Sequence, residues 1–161
     1  MNTKMLSRMF LCAALVTAAI TAGTGCTHFS MNTPDGFATL RNQRPRFDFR
    51  AASAYGVAIG VREIENRERA NLDFWAEAVD HHLQRTGPYH AEGSTPVRTA
   101  SGLAGRRLQY THGDAQTGST YWVTVFVVEK RVFVIEAGGA SASFARARPG
   151  IEQAIQTFEG S

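Results

Sequence analysis

The stretch from Tyr121 to Ala137 constrains this chain more than any other. Tyr121-Trp122-Val123-Thr124-Val125-Phe126-Val127-Val128 is apolar at odd and even positions alike except for Thr124, and Val132 to Ala137 repeats the pattern, broken only by Glu136. Side chains alternate between the two faces of a strand, so segments of this kind bury both faces and need cover on both sides. The short Glu129-Lys130 connection predicts an antiparallel hairpin at the centre of a sheet, although these residues are not the favoured two-residue turn types.

Two segments with helical periodicity can supply the cover. Leu72, Trp75, Val79 and Leu83 recur at spacings of three and four. Asn71 is placed to cap that helix at its start, and Gly87-Pro88 to end it. Near the C-terminus, Ile151, Ala154, Ile155 and Phe158 form one apolar stripe. Pro149 suits the first position of that helix, with Phe144 before it in a separate short turn or helix. Tyr55, Val57, Ile59 and Val61 share one strand face, and the opposite face is the bare row Gly56, Ala58 and Gly60, so something packs close there. Phe47-Asp48-Phe49, Thr95–Thr99 and Arg106–Thr111 read as further extended segments, and Phe37–Leu40 can add a short first strand. The expected fold is α+β: an antiparallel sheet of about five to seven strands covered by helices, an α/β/α sandwich.

Gly102-Leu103-Ala104-Gly105, the strand Tyr121-Trp122-Val123-Thr124-Val125-Phe126 and the final Ile155-Gln156-Thr157-Phe158 resemble the PsbP/DcrB-like superfamily over roughly residues 46–160. The resemblance implies an antiparallel sheet between helices and a non-enzymatic role. Members include a photosystem II extrinsic subunit, a Ran-binding import factor and bacterial envelope lipoproteins. Interaction surfaces differ between branches, so no binding residue carries over, and a ligand-binding set stays unknown.

The N-terminus speaks to location. Lys4 and Arg8 precede an apolar run from Met9 to Ala22, then Gly23-Thr24-Gly25-Cys26. This is the order of a secretory signal, and the run falls short of the roughly twenty residues of a spanning helix. A cysteine after small residues resembles the lipobox of bacterial lipoproteins, in which Cys26 becomes the acylated (palmitate-bearing) first residue. Gly23 stands where that motif usually has leucine, which bears on processing efficiency. The resulting organisation is a signal peptide over 1–25, a tether over 26–45 and a single sandwich domain over 46–161. Thr27, at the position where enterobacterial sorting uses aspartate for inner-membrane retention, favours the outer membrane facing the periplasm. Ordinary secretion with cleavage near Ala22 or Gly23, giving a soluble periplasmic or secreted protein, is the alternative.

Loss of residues 1–25 removes Lys4 and Arg8 from the 17 basic residues and leaves 15 against 14 acidic ones. A near-neutral envelope protein is not expected to bind nucleic acid. Cys12 is expected to go with the signal, so the mature chain would have one cysteine, committed to lipid, and neither an intramolecular disulfide nor a cysteine zinc site is expected.

The remaining candidates for chemistry are sparse. His81 and His82 point about 100° apart on a helix, and no spacing brings His28, His90 or His112 to them as metal ligands. Ser94, Ser101, Ser119 and Ser143 lack a nucleophile-elbow motif. Glu63 with Glu65, and Asp73 with Glu77, share faces and read as solvated charge rather than carboxylates opposed across a cleft. Gly138-Gly139-Ala140-Ser141 reads as a strand-to-helix turn capped by Ser141 or Ser143 rather than an anion nest. Arg41, Arg44, Arg46 and Arg50 read as a solvated stretch near the tether, the other reading being contact with lipid phosphates or an acidic polymer. Trp75, Tyr121, Trp122 and Phe126 read as core aromatics that could equally line a pocket between helix and sheet. The sequence thus predicts a lipid-anchored envelope protein, not an enzyme, without cofactor or metal. It would act as a binding or assembly module for an envelope protein; the alternative is a small-ligand carrier with a cleft between helix and sheet.

Overall fold

The computed structural model describes residues 28–41, 46–114 and 117–161. Cys26, the signal segment and Arg44 lie outside the described residues. Among the described residues nine strands and two helices follow in the order β1 (Phe29–Ser30), β2 (Phe37–Thr39), β3 (Phe49–Ser53), β4 (Ala58–Glu65), α1 (Leu72–Thr86), β5 (His90–Arg98), β6 (Ala104–His112), β7 (Ser119–Val128), β8 (Arg131–Ala140), α2 (Ser141–Gln156) and β9 (Glu159–Gly160). Seven of the strands make one antiparallel sheet in the order β2-β3-β4-β8-β7-β6-β5, and β1 pairs with β9 in a separate two-stranded ladder. The fold expectation holds, with two helices covering opposite faces.

The doubly apolar hairpin explains the layering. Val128 pairs with Arg131 across a two-residue turn, in which Glu129 takes a positive φ of 49°. Odd and even residues of β7 then serve different cores. Trp122 and Phe126, with Phe133, Ile135 and Ala137 of β8, pack against Phe144, Ile151, Ala154 and Ile155 of α2. Val123 and Val125, with Val132 and Val134, pack against Leu72, Trp75, Val79 and Leu83 of α1, joined by Leu108 and Tyr110 of β6.

Helix α1 starts where the sequence indicates: the Asn71 side chain accepts from the Phe74 N–H at 2.9 Å. The turn before it is organised by Asn66, which is fully buried. Its Oδ1 accepts from the Ala70 N–H and from the Trp75 indole N–H, and its Nδ2 donates to the Ala70 carbonyl.

Three expectations need correction. Residues 26–45 are not a free tether throughout, because from His28 the chain is built into the domain. Phe29 stacks on Phe158 and meets Phe133 edge-on, with ring centres 5.9 and 5.8 Å away. Pro149 lies inside α2, which runs unbroken from Ser141. Proline removes the bond to the Ala145 carbonyl, and both residues lie on the exposed side, where water can take that carbonyl. Nor does a serine cap α2: β8 runs to Ala140, the cap position itself, with no side-chain bond.

Phe158 sits fully buried between the rings of Phe126, Phe133 and Phe29. Truncating a buried aromatic removes its transfer energy and leaves a void. Phe158→Ala is expected to destabilise the domain by about 3–5 kcal/mol, measured as a lower midpoint in urea unfolding.

Candidate functional site

A helix about 10 Å across spans two or three strands spaced 4.8 Å apart. Here α1 lies over β6 and β7, and α2 over β7 and β8. Each face of the seven-stranded sheet therefore keeps an uncovered half, and the two halves are diagonally opposed. The polar residues of interest collect there.

On the α1 side, the open half lies over β3, β4 and β8. It forms a hollow of about 220 Å³ lined by Phe47, Arg50, Gly60, Tyr121, Glu136 and Gly138. The small residues of β4 are explained by Phe47, since a Cβ on Gly60 would meet its ring at 2.7 Å. The guanidiniums of Arg50 and Arg62 lie 5.5 and 5.9 Å from the centre of that ring. Arg62 pairs with Glu136, whose other oxygen accepts from the Tyr121 hydroxyl at 2.6 Å. Tyr89 stacks on Tyr121 at 5.1 Å. Burial foremost, with the Glu136 charge next, pushes the Tyr121 phenol well above its ordinary range. Burial and the bond to Asp80 do the same for Tyr110.

Beside α1, a groove of about 390 Å³ runs along β5 and β6 between Asp73, Glu77 and Asp80 on one wall and Ser94 and Arg106 on the other, with Leu108 at its floor. Arg106 pairs with Asp73 at 2.8 Å.

On the α2 side, the open half lies over β5 and β6. Trp122 of β7 sits at its border, with the Arg107 guanidinium 4.2 Å and the Arg148 guanidinium 5.3 Å from its ring centre. Both arginines reach a single oxygen, Glu152 Oε1, at 3.3 and 3.1 Å. Grooves of about 310 and 250 Å³ flank this bridge, the first bearing Val97, Arg98 and Gln156, the second Gln109, Thr111, Thr120 and Ser141. Desolvation lowers the Arg107 pKa despite Glu152, and the neighbouring Arg148 charge adds to the decrease.

Several sequence candidates are dispersed. His81, His82, His90 and His112 are exposed on the surface. His28 instead joins Glu63, its Nδ1 2.8 Å from Oε1 of a carboxylate that also pairs with Arg131. Glu63 is thus an ion-pair hub with a largely buried side chain, not solvated charge. The four core aromatics do not line one pocket: Trp122 and Phe126 face α2, whereas Trp75 and Tyr121 belong to the α1 side. Arg41 and Arg46 are exposed, and Arg50 is drawn over Phe47. The Arg107–Arg148–Glu152 bridge was missed. Its one local signal was the four-residue spacing of Arg148 and Glu152 on a helix.

No protein family and no curated protein sequence matches this chain. Its fold does match solved structures. LpqN of Mycobacterium tuberculosis, a protein involved in cell envelope biogenesis, superposes with a TM-score of 0.65 at 8% identity, over 81% of each chain. Cyanobacterial PsbP from Synechocystis sp. PCC 6803 gives 0.53 at 12% identity, over 86% of this chain and 96% of its own. The Ran-binding protein Mog1p of Saccharomyces cerevisiae gives 0.56 at 14%, over 83% and 90%. The chain carries a PsbP/Mog1-like α+β domain.

The tyrosines offer a test of the burial described above. The folded protein holds the Tyr110 and Tyr121 protons more tightly than the unfolded chain, whose phenols ionise near 10.0. Their contribution to stability is intact below that value and is lost progressively as pH rises above it. In an alkaline absorbance titration these two phenols are expected to ionise only together with unfolding. Ionisation of Tyr110 or Tyr121 near 10.0 in the still-folded protein would contradict the burial.

Proposed function

We propose that this chain is a lipid-anchored envelope protein whose PsbP-like domain binds another envelope protein and catalyses no reaction. The observation that carries this reading is the state of its charged groups. The carboxylates of Glu63, Glu136, Glu152, Asp73 and Asp80 are held as acceptors by Arg131, Arg62, Arg107 with Arg148, Arg106 and Tyr110 respectively. Carboxylates engaged in this way tie strands and helices together and serve the fold. Two half-faces of sheet stay uncovered, which is what an interaction module requires. The signal-like segment ending at Cys26 and the likeness to an envelope-biogenesis protein support the location.

Anchoring at Cys26 has a geometric consequence. Only Thr27 separates that residue from His28, which is fixed to Glu63 through both its ring and its backbone N–H. The end of the sheet carrying Glu63, Arg131 and the β7–β8 turn would then lie at the bilayer. The β3–β4 turn with Tyr55 is at the other end of the eight-residue β4, roughly 26 Å away at 3.3 Å per residue.

Palmitate labelling of the native protein beside Cys26→Ser tests the anchor: label is expected on the former and lost on the latter, and an unlabelled native protein refutes it. For the orientation, a fluorophore at Lys130→Cys should be quenched by bilayer-embedded spin label, and one at Tyr55→Cys should not. Envelope crosslinking should recover one specific partner.

The carrier reading is favoured by the groove between α1 and the β5–β6 strands. Native mass spectrometry should then show a co-purifying small molecule.

A further inference from the structure

The bridge at Trp122 is unbalanced. Arg107 and Arg148 share one carboxylate, and Arg98 lines the groove beside them. Arg98 donates to the Gly102 carbonyl and makes no ion pair among the described residues. The Arg107 side chain is only 11% exposed, yet its Nε is buried without an acceptor. Its cross-strand neighbour Thr124 also has a buried Oγ1 with no partner. A buried guanidinium costs free energy unless an anion satisfies it, and here it shares its one carboxylate with a second, exposed guanidinium. Glu152 supplies one, while Glu92, at the end of the second groove, is engaged by the Thr111 hydroxyl.

We propose that the Arg107–Arg148 pair over Trp122 is a binding site for an oxyanion, a carboxylate or a phosphate, which approaches along the uncovered β5–β6 strands. The fork of a guanidinium matches both groups in two-point hydrogen bonding. Arg148, with 56% of its side chain exposed, makes the first contact. Glu152 acts as the internal occupant that an incoming anion displaces. This deepens the binding-module reading by naming the chemistry of what is bound, and it rests on that reading only for its biological setting.

The test uses the full-length protein in detergent at low salt, with Trp fluorescence as the readout. Inorganic phosphate and a hexaglutamate peptide are titrated separately. At least one should shift the emission saturably and lose affinity as salt is added. Binding of phosphate alone would point to a free anion as the source, and of hexaglutamate alone to an acidic segment of a partner.

Arg148→Gln should weaken binding about tenfold, whereas Arg67→Gln, which alters an exposed pair with Glu65, should not. Glu152→Gln is the decisive variant, because removing the competitor should tighten binding several-fold. A purely structural bridge gives no such gain. Absence of a saturable shift with either probe, or a Glu152→Gln protein that is correctly folded by circular dichroism and binds no tighter than the native one, overturns the proposal.

Discussion

The structure depends on one hairpin with no polar face. β7 and β8 sit in the middle of the sheet, and their alternate residues are buried on opposite sides. A sheet with such a centre cannot fold in water with one face open. It requires a helix on each side, and both helices are drawn to the same central strands. The two helices of the described residues do not span seven strands, so among those residues the flanks go uncovered, β3 and β4 on one face and β5 and β6 on the other. The pattern that drives folding therefore also determines where the protein can meet other molecules. A chain with a more alternating β7 would have needed only one helix.

Much of this was legible because it is written locally. Hairpin, helix α1 and the apolar stripe of α2 each declare themselves within a window of about a dozen residues. What escaped was either stabilised from a distance or lacking a pattern. Only the end of β5 was read, as Thr95–Thr99; its first half, His-Ala-Glu-Gly-Ser, is exposed throughout and has no apolar face to announce it. It exists because β6 offers an edge to pair with. Gly93 with a positive φ of 142°, the register shift beside it, and Pro96 suit an edge strand that is not meant to pair further. β1 and β9 are two residues each and belong to the fold only because Phe29 finds the Phe133 and Phe158 rings more than 100 positions away. Pro149 misled for the opposite reason. A local rule favours proline at a helix start, but the apolar stripe from Phe144 to Ile155 outweighs one missing hydrogen bond on the wet side of α2.

Charge was the hardest part to read. Glu63 and Glu65 look alike in sequence, two acids alternating on one strand. In the fold, Glu65 pairs with exposed Arg67 two residues on, while Glu63 is joined to Arg131 and His28, 68 and 35 positions distant. No local rule separates them, because the difference is made by β4 lying beside β8. Glu136, the one interruption in an apolar run, proves to be the acceptor that holds Arg62 and Tyr121. In this fold a lone charge on a central strand marks a border between covered and uncovered sheet.

The same border explains why Arg107 stands out. It follows Arg106 on β6, and alternation sends the two to opposite faces, Arg106 to exposed Asp73 and Arg107 under the flank of α2. A leucine at 107 would extend the apolar seam of Trp122 and Phe126 without desolvating a charge, and substitutions of that kind are often neutral or stabilising. Folding alone therefore gives no reason for a guanidinium there, still less for a second one over the same indole with a single carboxylate between them. Where a fold keeps an arrangement that its own stability does not call for, the reason is to be sought in what the surface contacts. On this face the contact would be an anion.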